Sequence, residues 1–345
     1  MAGRIRSPAG LRLRKASLRV PSLIIRLPNH LGDACMALPA LECLSAKGYG
    51  LTLVGRPWAQ DLLAAHPWRV VGLPAARGER LGVLRALGRD NPGSDALLLT
   101  NSMSSALEFR LAGLRPSGYA TDGRRLLLRA AVPVPREWTG DMHTVAYYLH
   151  LARSLAPARG GLASLRRPLS DTCPRLHVTQ EARDRAARAL ARAGAQAPYI
   201  VLCPVARGQH KGQDKCWDGF PELARALRAD GHVIVVCPGP GEEIAARERA
   251  PGAREIEPLE LGAFAALLAG SRLVVANDSG PGHLAAAVGA PLVGVFGVTD
   301  PTKTRPLGPA VQIIGGSGGW PPYGQVADAV AAALARAAPS AARAP

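Results

Sequence analysis

A chain of 345 residues is too long for one ordinary domain and fits two of about 150–170 residues each; 48% is hydrophobic, enough for two cores, but only 4% is aromatic, so Leu, Val and Ala must do most of the packing. The formal charge of +16 is uneven: residues 1–170 carry 24 Lys and Arg against 10 Asp and Glu, and residues 171–345 carry 18 against 16. No apolar run reaches the roughly 18–20 residues of a membrane span, and the six cysteines form no CxxC pair, which argues against a zinc ribbon and for small buried thiols of a reducing compartment.

The basic half calls for an anionic partner: nucleic acid, a membrane surface or a phosphorylated substrate. Compositional drift toward arginine is the alternative, since the chain has only five lysines. Residues 1–20 hold six Arg or Lys and no acid, with no apolar stretch behind them. They read as a disordered basic leader able to rest on an anionic membrane, not as a secretory signal. Strands are then predicted over 22–27, 51–55, 96–100, 199–203, 232–237, 273–276 and 292–296. Helices are predicted over 34–47, 59–65, 105–113, 141–155, 181–194, 220–230, 261–269 and 282–288. The strands lack polar alternation, as strands buried on both faces of a parallel sheet do. Their alternation with helices gives an α/β, doubly wound architecture.

The pattern restarts after a Pro-, Gly-, Arg- and Ser-rich stretch without period. That places an N-terminal domain over 21–165, a linker over 166–178, a C-terminal domain over 179–337 and a frayed tail over 338–345. Two doubly wound domains in tandem leave a cleft between the carboxyl ends of their sheets, where ligands bind.

Four loops at strand ends carry candidate chemistry. In RLPNHLGDACMALPAL (26–41) a strand ends, a loop holds Gly32 and Asp33 opens a helix. Asp33 is either an N-cap held by the helix dipole or a general base that takes the proton of an attacking sugar hydroxyl. His30 is the second candidate base, or a surface histidine. In VARGQHKGQDKCW (205–217), Arg207, His210, Lys211 and Lys215 precede a helix. They form either a solvated basic loop or a cradle for a diphosphate leaving group. In LVVANDSGPGHLAAAVGAPLVGVFG (273–297), a buried strand runs into Asp278, Ser279 and Gly280, and Pro281 starts a helix containing His283. Small residues there allow close approach of a phosphate to backbone amides, and Asp278 can accept from sugar hydroxyls. His283 faces the diphosphate or is a core histidine. In CPGPGEEIAARE (237–248), Glu242 either complements a helix dipole or grips ribose hydroxyls.

Missing motifs narrow the chemistry further. No GxGxxG follows the first strand, which argues against a nicotinamide enzyme, and no GxxxxGK[ST] loop occurs. No DxD pair is present to hold a metal–diphosphate, so no metal is expected and charge neutralisation falls to Lys, Arg, His and helix dipoles. No helix-turn-helix or aromatic-studded basic patch argues for nucleic acid.

NHLGDACMALPAL, DKCW before an amphipathic helix, and NDSGPGHLAAAVGAPLVGVFGVTDP together resemble glycosyltransferase family 9, the lipopolysaccharide core heptosyltransferases, over roughly residues 22–335. The resemblance implies a GT-B fold: two Rossmann-like domains facing across a cleft, acceptor on the N-terminal side and nucleotide sugar on the C-terminal side. It implies inverting transfer of a heptose from ADP-heptose to a lipopolysaccharide inner-core acceptor, with no cofactor required. Asp33 is then similar to the family's catalytic base and Lys215 to its diphosphate-binding lysine. Asp278, Ser279, Gly280 and His283 match its donor-binding block, and Glu242 its ribose-binding glutamate. An anionic lipopolysaccharide-type acceptor and a cytoplasmic enzyme, peripheral on the inner leaflet, are the implied partners and place. Val205 and Ala206 stand where the family often has small hydroxyl residues, and the RGQHK stretch lengthens that loop. Two alternatives stay open: another nucleotide sugar for a different surface glycan, or a non-catalytic nucleotide-sugar or anionic-surface binding protein.

Overall fold

The computed structural model describes residues 21–92, 94–156, 172–206, 208–210 and 212–336. The expected leader 1–20, the tail 338–345, residues 166–171 of the expected linker, and Arg207 and Lys211 lie outside the described residues. In chain order the first half comprises β1 (Ser22–Arg26), α1 (Leu31–Ala46), β2 (Gly50–Gly55), α2 (Trp58–Leu62), β3 (Arg69–Gly72), α3 (Arg77–Asp90), β4 (Asp95–Leu98), α4 (Met103–Leu111), β5 (Arg115–Tyr119), β6 (Ala130–Val132) and α5 (Thr144–Ser154). The second half comprises α6 (Gln180–Arg192), β7 (Tyr199–Cys203), a small hairpin of β8 (Gln209–His210) and β9 (Gln213–Asp214), α7 (Phe220–Ala229), β10 (Val233–Val236), α8 (Glu243–Arg249), β11 (Arg254–Glu255), α9 (Leu261–Ala269), β12 (Leu273–Asn277), α10 (Gly280–Ala287), β13 (Leu292–Phe296), α11 (Pro301–Thr304), β14 (Val311–Gly315) and α12 (Tyr323–Arg336).

Each half carries a six-stranded parallel sheet, ordered β3-β2-β1-β4-β5-β6 in the first and β11-β10-β7-β12-β13-β14 in the second. The two orders are the same doubly wound order, reversing beside β1 and beside β7. The uninterrupted apolar strands explain the choice: Leu23, Ile24 and Ile25 of β1 and Leu273, Val274 and Val275 of β12 have no exposed surface, as expected of strands covered on both faces. The two Rossmann-like domains share a boundary that is itself core. One continuous buried cluster runs from Leu38 and Leu41 of α1 to Leu284 and Ala285 of α10.

Several charged groups hold this arrangement together. The buried Lys47 ammonium, just past α1, donates to Ala152 O at 2.9 Å, Arg153 O at 3.0 Å and Leu155 O. It thereby satisfies the last carbonyls of α5, which the helix itself leaves without partners. Across the domain boundary, Asp61 of α2 pairs with Arg185 of α6 at 2.9 Å and accepts from the amide of Gly262 at the start of α9 at 2.5 Å; Arg185 also reaches Glu260 at 2.6 Å. Of the expected linker, residues 172–178 run against the C-terminal domain, with Leu176 buried and its amide donating to Ala287 O at 2.8 Å. Among the described residues no helix is long and apolar enough to cross a membrane.

Candidate active site

The carboxyl ends of β1 and β12 lead into α1 and α10, and the first turns of these two helices touch across the cleft. A Cβ placed on Gly32 would lie 2.8 Å from Cδ2 of His283, and one on Gly280 would lie 3.0 Å from the Cβ of Leu31. The sequence expectation set Gly32 in a loop with Asp33 opening the helix. The helix instead begins at Leu31, with His30 as its N-cap and Asp33 third along it. Asp33 is therefore not the N-cap, but it remains the acid of the first turn, where the helix dipole favours a carboxylate.

Asp33 is half-buried, and burial pushes its carboxyl above the ordinary carboxylate range; the neighbouring His30 and a hydrogen bond from the Tyr148 hydroxyl oppose the shift. Burial and the adjacent carboxylate hold Tyr148 well above the ordinary phenol range, so it stays protonated and donates. A carboxylate with a raised pKa is a better proton acceptor than a solvated one. His30 is exposed on the loop beside it.

On the facing side, Lys215 pairs with Asp278 at 3.0 Å, and Thr299 donates to the same carboxylate oxygen at 2.6 Å. His283 is buried one turn into α10, and burial drives its imidazole below the ordinary range, so it is neutral at neutral pH. The Ser279 hydroxyl turns back to Asn277 O at 3.1 Å and does not cap α10. The positive end of that helix thus faces the cleft without a cap of its own. Lys215, Asp278, Ser279, Gly280 and His283 come together around one turn, and Asp33 lies across from them.

Asn277 is a residue that sequence reasoning passed over. Its buried side chain accepts from the Trp217 amide at 3.0 Å and donates to Pro204 O at 2.8 Å. It therefore fixes the segment carrying Lys215 to the ends of two strands. Tyr148 was also missed: it sits in the predicted 141–155 helix as one aromatic among several, and only the fold aims it at Asp33. Asn277→Ala leaves a buried amide and a buried carbonyl without partners, a loss of about 2–6 kcal/mol in stability at roughly 1–3 kcal/mol for each group. Urea denaturation and a donor KM measurement check this; an unchanged midpoint with unchanged KM rules out the clamp.

A pocket opens beside this turn, between the ends of β7 and β10 and helix α8. Its walls are mostly apolar, with Val205, Pro238 and Phe264 among them, and Leu31 and Pro281 join it to the cleft. Glu242 lies at its rim, its carboxylate accepting from the Gly239 amide at 2.9 Å. Cys203 and Cys237 also line it; burial pushes both thiols up, Cys237 to about 12, so they act as apolar wall. His210 belongs to the β8–β9 hairpin. Among the described residues no group of three or more His, Cys, Asp or Glu is placed to hold a metal ion.

Two Rossmann-like domains, a half-buried carboxylate on one and a lysine with a helix N-terminus on the other define a GT-B glycosyltransferase. The model of glycosyltransferase family 9 (heptosyltransferase) matches residues 85–322, and the chain belongs to that family. It is 28% identical over 308 residues to lipopolysaccharide heptosyltransferase 2 of Escherichia coli K12, covering 83% of this chain and 86% of that one. It is 25% identical over 318 residues to lipooligosaccharide heptosyltransferase 2 of Haemophilus influenzae, covering 85% and 88%. The solved structure of E. coli ADP-heptose lps heptosyltransferase II superposes with a TM-score of 0.73 at 24% identity, covering 91% of this chain and 99% of that one. E. coli heptosyltransferase WaaC with ADP superposes at 0.66 and 20% identity, covering 92% and 100%. The structural likenesses carry the fold.

Proposed function

We propose that the protein moves a heptose from ADP-heptose to an inner-core sugar of a lipopolysaccharide acceptor, with inversion at the anomeric carbon, at the cytoplasmic face of the inner membrane. The observation that carries this reading is the contact of the α1 turn with the α10 turn, which sets Asp33 opposite Lys215, Asp278 and His283. The Asp33 carboxylate takes the proton of an acceptor hydroxyl while that oxygen bonds to C1 of the heptose. The C1–O bond to ADP breaks on the opposite face, and the ADP leaves with the electron pair. Lys215 and the amides at Gly280 meet the charge that develops on the diphosphate. As the diphosphate arrives, Asp278 yields Lys215 to it and accepts sugar hydroxyls. His283, being neutral, donates one hydrogen bond without adding charge. The pocket beside Glu242 receives the nucleoside, its base on the apolar wall and its ribose at the carboxylate. The N-terminal domain takes the acceptor: Arg26, Arg56 and Arg80 gather with Glu108 near the carboxyl edge of its sheet, where burial lowers Arg26 to about 10. This suits an anionic sugar or phosphate.

The names of the full-length relatives support the heptose, and WaaC, solved with ADP-2-deoxy-2-fluoro heptose, supports the donor class. The test is a thermal-shift panel of ADP-heptose against UDP- and GDP-sugars, followed by mass spectrometry of truncated lipopolysaccharide acceptors after incubation. A shift with ADP-heptose alone and a heptose mass gained by the acceptor are expected. Lys215→Ala is expected to remove both. A shift only with another sugar nucleotide assigns a different donor and overturns the heptose reading.

A further inference from the structure

Four of the five large apolar side chains that the described residues leave exposed lie on one face of the N-terminal domain: Met103 at 41%, Leu107 at 44%, Leu111 at 55% and Leu126 at 93%. Met103, Leu107 and Leu111 are four residues apart on α4, so they form a single stripe about 12 Å long. Leu126 belongs to the 3₁₀ turn Arg124–Leu127, which packs against α4; a Cβ on Gly123 would lie 3.8 Å from Met103 Cε. Leu126 is held outward by its neighbour. Arg124 is fully buried and donates to Tyr119 O at 2.8 Å, Thr100 O at 2.5 Å and Asn101 Oδ1 at 3.3 Å. Anchoring the turn through Arg124 leaves Leu126 no route into the core.

Basic side chains accompany the apolar ones. Arg110, Arg115 and Arg125 are exposed on the same elements or at their ends, against one exposed acid, Asp122, just before the turn; Glu108, the one acid on α4, is engaged by Arg80 at 2.7 Å. An exposed apolar patch with cations around it matches a bilayer surface with anionic headgroups, where acyl chains take the leucines and phosphates take the arginines. A second copy of the chain fits poorly. An isologous pairing of this face would set its own arginines against one another, and four side chains fall far short of the 20–30 residues a side of a stable interface.

We propose that this face, built on α4 and the Arg124–Leu127 turn, docks the protein on an anionic phospholipid membrane. The position is apt: β4 neighbours β1 in the sheet, so the Met103 end of α4 lies at the carboxyl edge that also carries Asp33, with α4 and α1 on opposite faces of that sheet. This goes beyond the donor assignment, and vesicle binding is read without any sugar transfer, so either can fail alone.

The test is flotation of the full chain with phosphatidylethanolamine–phosphatidylglycerol vesicles and with pure phosphatidylcholine vesicles. The parent is expected to float with the first and not the second. Leu107→Gln/Leu126→Gln, which leaves the leader intact, is expected to lose about tenfold in partitioning while keeping its melting temperature and its turnover of a soluble, deacylated acceptor. If the double variant melts early, Leu126→Gln alone is read instead, since a side chain 93% exposed adds nothing to the core. Unchanged partitioning of the variants overturns the proposal. So does a parent that ignores both vesicles but sediments as a dimer that the variants disperse.

Discussion

Asp33→Asn is expected to lower kcat/KM for transfer by about 10²–10⁴-fold, the range general-base catalysis supplies, while the protein folds as before. Asn keeps the shape and an oxygen to accept from Tyr148, but it cannot take a proton. The stability side has a definite sign. Burial raises the Asp33 pKa in the folded protein, so the folded state binds this proton more tightly than the unfolded chain does. Ionisation of Asp33 at neutral pH therefore costs stability, and replacing it with a neutral amide removes that cost. The melting temperature is expected to hold or rise as activity falls, a trade that marks a functional carboxylate rather than a structural one.

The pH dependence follows from the same residue. On the proposal that Asp33 is the base, it must be ionised, so kcat/KM of the parent is expected to fall on acidification, beginning above the ordinary carboxylate value near 4. His283 stays neutral through that window, its imidazole lowered to about 4. Tyr148→Phe removes the one hydrogen bond that holds the Asp33 pKa down. The acidic limb is then expected to move to higher pH while the rate at the plateau persists. A limb that stays in place in both variants assigns the proton to some other group.

Much of this was legible in the chain before its coordinates. The strands that became β1, β7, β12 and β13 are unbroken apolar runs, and period alone identifies them. β5 was not legible, because its RPSGY carries a proline and a glycine, both usual strand breakers. Its Gly118 is there because the buried Arg124 guanidinium crosses it; a Cβ would stand 3.2 Å from Nη2. β14 and α12 were also missed, since VQIIG is short and the Ala-rich final helix has a narrow apolar face. In the site, the loops after strands pointed to Asp33, Lys215 and the 278–283 turn through residue type and place. Asn277 and Tyr148 could not be found that way. Each acts through a partner distant in sequence — Trp217 and Pro204 for one, Asp33 for the other — and only tertiary structure supplies those pairings.

Gly32→Ala is the sharper test of the two-domain site, because local and tertiary effects oppose each other there. Within α1, alanine is the better helix residue by about 1 kcal/mol, and Gly32 lies outside the positive-φ set, so its backbone accepts a side chain without strain. Judged on its own domain, the substitution stabilises. Across the cleft, the new methyl would meet the His283 ring at 2.8 Å, closer than carbon atoms sit, and His283 is packed in on all sides. The ring or the whole α10 turn must shift away from α1, at a cost of about 1–3 kcal/mol for overpacking. Such a shift moves Asp33 away from the facing turn, where the proposed mechanism puts the donor sugar. A misplacement of about 1 Å is worth roughly 10²-fold in rate, and that is the loss in kcat/KM expected here, with a melting temperature near the parent's. Gly32→Ala paired with His283→Ala removes the clash, and the double variant is expected to be no worse than His283→Ala alone. Full activity in Gly32→Ala would show that the two turns need not meet for transfer to occur.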